Sequence, residues 1–282
     1  TATYNVAVDY GFLNNRINGS IEFYMKHTKD MLNTVNAPAG TNFATKLMAN
    51  VGEMENKGVE FNINAVAIQS KDFTWEIGYN VTWNDSEITK RTASYNPDYE
   101  GIDAGGNQKH QVGYAPNTFY LFQQVYDKEG NPIQNAIVDR NGDGKITEDD
   151  RYLTGKSPMA KVYMGLSSQF TYKNWDLGFN MRASLGNYVY NGNLSGNATS
   201  YNYGGQGILS NLYNGYQITG WNGRSIPEQG STDYFLEDAS YLKMDNLTLG
   251  YSFSNFTKAK LSGRISASMQ NVFTVSKYRG MD

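Results

Sequence analysis

The sequence predicts an all-β fold in which about eight antiparallel strands form part of a transmembrane β-barrel. Three observations lead to this fold class. Apolar and polar residues alternate in eight segments, short turns alternate with long loops, and aromatic residues gather beside the short turns. The composition agrees, because the 282 residues include 22 Tyr, 13 Phe and 29 Gly but only 6 Pro and no Cys. Tyr and Phe are favoured in strands and at the edges of membrane barrels.

The alternation defines the strands one by one. From Phe73 to Trp83 every odd position is large and apolar, and every even position is small or polar. Because successive side chains of a strand point to opposite faces, such a segment has one apolar and one polar face. The same pattern recurs near positions 160–170, 175–185 and 261–273. The predicted strands are residues 3–13, 16–27, 57–69, 72–84, 160–172, 174–187, 239–254 and 260–274.

The predicted connections alternate between short and long. Short turns lie at Asn14-Asn15, Ser70-Lys71, around Lys173 and across residues 255–259. Long loops are predicted at residues 28–56, 85–159 and 188–238. In outer-membrane barrels the short turns face the periplasm and the long loops are extracellular. The aromatic residues that would form an interfacial girdle beside the short turns are Tyr10, Phe12, Phe73, Trp75, Tyr172, Trp175, Tyr251, Phe253 and Phe256.

Residues 117–126 also have the composition of a strand. A ninth crossing at this point would place the next short turn on the wrong side of the membrane. We therefore assign the segment to a folded extracellular loop, where a hairpin would accommodate it. Strand parity thus favours eight crossings.

The main alternative from the pattern alone is a soluble β-sandwich or lectin, whose strands also alternate. The predicted strands of 11 to 16 residues exceed the usual length of about five or six and approach what a tilted strand needs to cross a bilayer. Loops of 50 to 75 residues are also unusual on a compact sandwich. No run approaches the roughly 18 apolar residues of a membrane helix. A net charge of −3 gives no basic patch for nucleic acid.

Four segments carry a family resemblance. Residues 50–60 (NVGEMENKGVE) and residues 139–151 (DRNGDGKITEDDR) each lead towards a predicted strand. Residues 241–251 (YLKMDNLTLGY) and residues 270–282 (QNVFTVSKYRGMD) lie near the end of the chain. Together, and in this order, they resemble the C-terminal half of the SusC/RagA-type TonB-dependent outer-membrane transporters. The resemblance covers about residues 50–282.

The resemblance implies a barrel of about 22 strands with an N-terminal plug in its lumen. It also implies import driven through the TonB complex, and a SusD-like surface lipoprotein that helps to capture oligosaccharides or peptides. We expect residues 1–282 to be a partial barrel domain that lacks the plug, the TonB box and the final strand. Eight strands with two open edges cannot stand alone in outer-membrane lipid, because unpaired backbone groups there cost several kcal/mol each.

The segment from Asp139 to Asp150 has the ligand spacing of a calcium loop. Gly144 would allow the sharp turn at the sixth position, and Asp replaces the usual Glu at the twelfth, which predicts weaker binding of Ca²⁺. No flanking helices are evident, so the pattern indicates an EF-hand-like loop, and the alternative is an acidic turn without metal. The expected ligands are Asp139, Asn141, Asp143, the backbone carbonyl of Lys145, Thr147 and Asp150.

The loop at 188–238 is rich in aromatic residues among Asn and Gly. Exposed rings can stack on sugars, and amide side chains can bond to hydroxyl groups, so these residues are candidates for contacts with a ligand or a partner. The alternative is that the rings pack against one another or against neighbouring loops. The candidates are Tyr188, Tyr190, Tyr201, Tyr203, Tyr213, Tyr216 and Trp221.

No pattern indicates catalysis, so we expect no enzyme activity. The two histidines, His27 and His110, have no partner spacing for a metal or a nucleophile. The carboxylate pairs Glu53/Glu55 and Glu148/Asp149 lie in predicted loops, and nothing marks them as a glycosidase pair. Three alternatives to the transporter remain: a passive porin, a complete eight-stranded barrel, and a soluble carbohydrate-binding or calcium-stabilised adhesin module.

Overall fold

The computed structural model describes residues 1–36, 43, 45–50, 52–90, 102–199, 215–254 and 261–280. None of the helices within these ranges is long and apolar enough to cross a membrane. The strands in chain order are β1 (Ala2–Phe12), β2 (Ile17–Thr28), β3 (Leu32–Asn36), β4 (Lys46–Asn50), β5 (Glu53–Gln69), β6 (Phe73–Lys90), β7 (Ile102–Gly105), β8 (Gln108–His110), β9 (Thr118–Leu121), β10 (Gln124–Tyr126), β11 (Pro132–Ile137), β12 (Tyr152–Leu153), β13 (Val162–Tyr172), β14 (Trp175–Leu185), β15 (Tyr188–Tyr190), β16 (Leu236–Asp238), β17 (Tyr241–Phe253) and β18 (Gly263–Ser276). The helices are α1 (Gly192–Gly196), α2 (Gly215–Thr219) and the 3-10 turns Glu148–Asp150, Pro227–Ser231 and Asp233–Phe235.

Eight long strands form one antiparallel sheet in the order β1-β2-β5-β6-β13-β14-β17-β18, which we call the wall. These are the eight strands that the alternation predicts, and the all-β antiparallel fold is confirmed. The first short turn places Asn14 and Asn15 at φ values of 56° and 64°, and the third places Lys173 at 53°. Asn tolerates this left-handed region better than most residues, which suits it to a tight turn. The fourth predicted turn, with Phe256, lies outside the described residues.

Two wall strands are longer than predicted. β5 begins at Glu53 rather than at position 57, and β6 continues to Lys90 rather than ending at position 84. The added residues pair with each other, with Glu53 opposite Lys90 and Asn56 opposite Ser86. Because these residues are mostly polar on both faces, the alternation that marks the rest of each strand is absent there. The predicted loops 28–56 and 85–159 are therefore shorter, and the first also contains the β3–β4 hairpin.

The wall has two different faces. On its apolar face, Phe170 lies opposite Trp75 on one side and Leu177 on the other, and this alignment continues through neighbouring strands. No second sheet covers this face within the described residues, so its side chains remain accessible: Tyr4 and Ile265 are each 70% exposed. On the opposite face, hydrogen bonds join polar side chains across strands, such as Asn180 to Asn246 at 3.1 Å. We call the first the outer face and the second the inner face.

The segments between the wall strands fold together at one end of the sheet. We call the described residues of 102–159 and 186–240 the loop assembly. It contains a small sheet in the order β12-β9-β8-β7 and the strand pairs β10-β11 and β15-β16. Residues 117–126 fall in β9 and β10, outside the wall, as expected, but they form no hairpin with each other. β9 pairs with β8 and β12, and β10 pairs with β11.

The hydrophobic core lies mainly in the loop assembly. Two clusters meet near Tyr190, and together they exclude water from most of their apolar side chains. The wall contributes little to this core because most of its large apolar residues are on the exposed outer face. The loop assembly is therefore a packed structure rather than a set of independent loops. Its core residues are Phe119, Leu121, Leu194, Ala198, Trp221, Phe235 and Leu236.

Candidate functional site

A cleft opens where the inner face of the wall meets the loop assembly. Its volume is about 800 Å³, within the range of small-molecule sites. Strands β2, β5 and β6 supply one side, and the segments 113–115, 155–161 and 186–188 supply the other. We call this space the mouth cleft. Its aromatic residues are Tyr24, Tyr114, Tyr163 and Tyr188.

The wall side of the mouth cleft is a row of hydrogen-bonded polar side chains. The hydroxyl of Tyr24 donates to Oδ1 of Asn84, and the hydroxyl of Ser86 donates to Oδ1 of Asn56 at 2.6 Å. The register aligns these residues because Tyr24 lies opposite Gly58, and Gly58 lies opposite Asn84. The polar row is therefore fixed by strand pairing before any ligand is present.

Gly58 provides the space that the Tyr24 ring occupies. A Cβ at position 58 would lie 2.5 Å from Cζ of Tyr24 and 2.6 Å from the carbonyl oxygen of Trp83. Any side chain at this position would displace the ring from the sheet surface. The absence of a side chain at Gly58 in β5 thus explains how the ring of Tyr24 in β2 lies flat across the neighbouring strand.

The mouth cleft carries more positive than negative side chains. Lys26, Lys156 and Lys161 line it, and the β6 residues Asp85 and Glu87 border it. Asp85 is paired with Lys57 at 3.6 Å, and the Lys156 ammonium lies 4.8 Å from the centre of the Tyr188 ring. Among the described residues, Lys26, Lys161 and Glu87 take part in no ion pair.

The predicted loop aromatics have different positions. Trp221 is only 3% exposed, and its ring N–H donates to the carbonyl oxygen of Pro132 at 2.8 Å. The hydroxyl of Tyr190 donates to the carbonyl oxygen of Gly230, and it also lies within hydrogen-bond distance of the Ser195 hydroxyl at 2.8 Å. Trp221 is enclosed in the loop assembly, as the alternative interpretation holds. Tyr190 is only partly buried against the same core, so its ligand-contact role stays a prediction.

Tyr188 is the predicted aromatic residue that reaches the mouth cleft. Tyr216, at the start of α2, lies in the helix next to the loop core. Tyr201, Tyr203 and Tyr213 lie outside the described residues. The ligand-contact role of Tyr188 stays a prediction.

Three aromatic residues of the mouth cleft were not predicted from the sequence as candidates for ligand contact: Tyr24, Tyr114 and Tyr163. Two of them were detectable in principle. Tyr24 falls in the polar row of β2 between Glu22 and Lys26, and Tyr163 falls in the polar row of β13. A tyrosine on the polar row of a barrel strand must face the interior, which is a signal for an interior binding surface. Tyr114 had no such signal, because only the folding of the loop brings it to the cleft.

The segment from Asp139 to Asp150 forms a tight loop held by its own backbone. The carboxylate of Asp139 accepts hydrogen bonds from the amides of Gly142 and Gly144 at 2.7 and 2.8 Å. Asp143 accepts from the amide of Lys145 at 2.8 Å. Within the described residues no group of three or more His, Cys, Asp or Glu side chains has the arrangement of a metal site. Calcium binding by the predicted ligands stays a prediction.

Asp150 is the anchor of this loop. It is buried and accepts backbone N–H groups from Arg140 at 2.9 Å, Asn141 at 3.3 Å and Thr147 at 2.8 Å. These donors, the Thr147 amide first, lower the pKa of Asp150 below its usual value, because they stabilise the ionised carboxylate. With both of its oxygens engaged, Asp150 organises the loop from inside, and the exposed Asn141 and Asp143 remain nearer to solvent.

The histidines and carboxylate pairs form no catalytic arrangement among the described residues. Nε2 of His27 lies 2.8 Å from Glu53. Nδ1 of His110 accepts the amide N–H of Asn117 at 3.2 Å, and burial lowers the pKa of His110. Glu148 pairs with Arg151 at 2.9 Å. His27, His110, Glu53 and Glu148 thus have structural partners, and no histidine lines the mouth cleft. Its chemistry is that of recognition through rings, amides, hydroxyls and charges.

Comparisons with known proteins identify the relatives of this chain. No family model matches. The chain is 47% identical to the TonB-dependent receptor SusC of Bacteroides thetaiotaomicron over its whole length, which is 29% of that protein. It is 26% identical to the TonB-dependent receptor P3 of Formosa agariphila, over 99% of the chain and 30% of that protein. The chain thus spans less than a third of the length of these relatives.

Solved structures show the same fold. The structure of the RagAB peptide transporter matches 99% of this chain with a TM-score of 0.75 at 24% identity, and the match covers 32% of that structure's chain. The same importer in its open-open state matches with a TM-score of 0.73 at 22% identity. The sequence identity to SusC and the RagA-like fold agree with the four resembling segments. The chain belongs to the SusC/RagA-type TonB-dependent receptors.

Proposed function

We propose that this chain forms part of the barrel wall and extracellular mouth of an outer-membrane importer driven through TonB. The observation that carries the proposal is the contrast between the two faces of the wall. One face exposes large apolar side chains, and the other presents hydrogen-bonded polar groups that lead to the mouth cleft. The relatives support the proposal, since SusC is described as a TonB-dependent receptor and RagAB as a peptide transporter.

The outer face has the height of a bilayer core. In β6 its apolar positions run from Phe73 to Trp83, which is a stretch of about 11 residues and the length that a tilted strand needs to span the hydrocarbon. Beyond Trp83 the outer face becomes charged, where Asp85 pairs with Lys57. The ring N–H of Trp75 donates to the Ser168 hydroxyl at 2.9 Å. A polar group facing lipid needs such a partner, because leaving it unsatisfied costs several kcal/mol.

Aromatic rings form a belt beside the short turns. Trp75 stacks on Phe170 with ring centres 5.5 Å apart, and Trp175 lies 4.7 Å from Tyr251. Phe73 lies 6.5 Å from Phe170. Aromatic belts are typical of the interfaces of membrane barrels. We place this belt at the periplasmic interface, with the loop assembly outside the cell.

The mouth cleft would receive the nutrient, which we propose to be an oligosaccharide or a peptide. The loop assembly would provide a rigid docking surface for a SusD-like lipoprotein that delivers it. Buried residues such as Phe235 and Leu121 support this role, because a packed surface loses little conformational entropy when a partner binds. TonB would act through the plug that the family resemblance implies.

Energised uptake is the experiment that tests the proposal. The full-length protein that contains this chain is expressed in a host without its own homologue, and uptake of labelled oligosaccharides and peptides is measured with and without a protonophore. We expect outer-membrane localisation and uptake that stops when the proton gradient collapses. Uptake that continues unchanged would favour a passive porin. Recovery of a folded, soluble monomer without detergent would favour a soluble binding module and contradict the proposal.

A further inference from the structure

The mouth cleft combines aromatic rings with an excess of positive charge. Three lysines line it, whereas Asp85, which borders it, shares the outer face with Trp83 and is paired there with Lys57. The chain as a whole has a net charge of −3, so the positive charge is local to this cleft. From this combination we infer that the mouth cleft binds an anionic oligosaccharide, with its acidic group among Lys26, Lys156 and Lys161. This inference rests on the proposed function in one respect, which is that the cleft faces the transport path.

Recognition in this cleft must occur through side chains. The wall strands that line it, β2, β5, β6 and β13, are paired on both sides. In β15, the amide of Tyr188 donates to the carbonyl oxygen of Ser157. A peptide therefore finds no free strand edge for main-chain pairing, which is a common mode of holding extended peptides. The available groups are the rings and hydroxyls of the tyrosines, the amides of Asn56 and Asn84, and the lysine ammoniums. Pyranose rings with hydroxyl and carboxylate groups match this set.

The inner face also orients the ligand. Two positions below Tyr24 and Gly58 on the inner face, Glu22 lies directly opposite Glu60. Glu22 accepts a hydrogen bond from Asn5 at 2.6 Å, and both carboxylates face the lumen beneath the cleft. Negative charge on a ligand is repelled from this row and attracted to the lysines above it. The acidic sugar would therefore lie at the level of the lysines, with uncharged hydroxylated rings deeper in the barrel.

Tyr163 would provide the stacking surface. It is 46% exposed, and it stands on the inner face of β13 two positions after Lys161, so the ring and the ammonium share one side of the strand. Tyr188 is less suited, because the Lys156 ammonium lies over its ring. A sugar stacked on Tyr163 would thus place its substituents within reach of Lys161.

The test is calorimetric titration of the full-length protein in detergent with trigalacturonate, its methyl ester and tri-aspartate. We expect the acid sugar to bind about tenfold tighter than the ester, because charge-assisted hydrogen bonds are roughly twice as strong as neutral ones. The double variant Lys26→Gln/Lys161→Gln should remove this difference, and Tyr163→Ala should weaken both sugars. Lys71→Gln, in a short turn at the opposite end of the wall, is the matched control and should change neither affinity.

Several results would overturn the inference. These are equal binding of the acid and the ester, an unchanged preference in the double lysine variant, no binding of trigalacturonate, or tighter binding of tri-aspartate. The titration needs neither TonB nor a proton gradient, so its failure leaves the proposed import function intact. Failure of energised uptake with a normal titration would instead contradict the import function alone.

Discussion

At the scale of single residues, burial separates groups that fold the loops from groups that can meet a ligand. Trp221 and Asp150 occupy the interior of the loop assembly, where each has its hydrogen-bonding groups satisfied. Tyr163 and Lys26 point into the mouth cleft and remain accessible. The composition of the loop at 188–238 suggested a role for its rings in binding, yet composition does not reveal which rings are enclosed. That depends on contacts between residues far apart in the sequence, such as Trp221 with Pro132, which are 89 positions apart.

Replacing Trp221 by Ala should destabilise the loop assembly. Loss of a buried Trp ring leaves a cavity that costs about 3–5 kcal/mol in stability, and the Pro132 carbonyl also loses its donor. Hydrogen exchange of the loop amides in the full-length protein should become faster, while the wall strands keep their protection. Ile218→Ala removes a side chain that is 40% exposed and should change exchange little. Unchanged exchange in the Trp221 variant would contradict the packing described for this core.

The buried carboxylate of Asp150 should make the stability of the loop at residues 139–150 depend on pH. Because its folded pKa lies below the ordinary aspartate value of 3.8, the carboxylate stabilises the loop above that pH and loses this effect as the pH falls through the folded pKa. Below about pH 4, hydrogen exchange of the Thr147 and Arg140 amides should therefore be faster than the intrinsic pH dependence of exchange alone would make it. Asp150→Asn should show fast exchange already at neutral pH. Equal protection of variant and wild type would remove Asp150 as the anchor.

Calcium binding by the same loop is a separate prediction. If Asp139, Asn141, Asp143 and their neighbours bind Ca²⁺, then added calcium should protect the loop from protease in the full-length protein. Asp143→Ala should lose this protection, because it removes a direct ligand that is exposed and holds only a local turn. Lys128→Ala, in the neighbouring hairpin, serves as the control. Absence of a calcium effect in the wild type would exclude the metal.

At the scale of elements, the sequence predicted the wall well and the loop assembly poorly. Period-2 alternation identified all eight wall strands, since one face of each strand is uniformly apolar. It missed the added residues of β5 and β6, where both faces are polar. It also missed the small sheet around Phe119 and Leu121, whose short strands of four residues or fewer carry too few positions for a periodic signal. Long-range pairing, rather than local pattern, determines these parts.

Arginine substitutions on the two faces of β14 should have unequal effects. Leu177 is on the outer face and Asn180 is on the inner face of the same strand. An arginine at the lipid-facing position should cost up to about 2 kcal/mol in stability, because Leu177 lies between the aromatic belt at Trp175 and the bilayer midplane, whereas one facing the lumen should cost much less. The amount of heat-modifiable, folded protein in outer-membrane fractions reports this difference. A larger loss for Asn180→Arg than for Leu177→Arg would reverse the assignment of the faces.

At the scale of the whole molecule, the chain is one wall of eight strands with a loop assembly at one end. The stability of the wall depends on what covers its outer face. The packed core lies in the loop assembly, while the wall leaves one apolar face without a protein partner among the described residues. This division explains why a segment with a mean hydropathy of −0.58 can belong to a membrane receptor. Only every second residue of a wall strand needs to be apolar. In the proposed function, the inner face, with its amides, charges and cleft, would provide the route and the recognition surface.

Site-directed spin labelling of β14 tests whether the outer face of the wall meets lipid. The chain contains no Cys, so single cysteines can be introduced at each position from Trp175 to Leu185 in the full-length receptor in lipid. We predict that accessibility to oxygen, which concentrates in hydrocarbon, peaks at the odd positions, and that accessibility to a polar nickel reagent peaks at the even positions. Uniformly low access to oxygen, or a period other than two, would show that the outer face does not meet lipid.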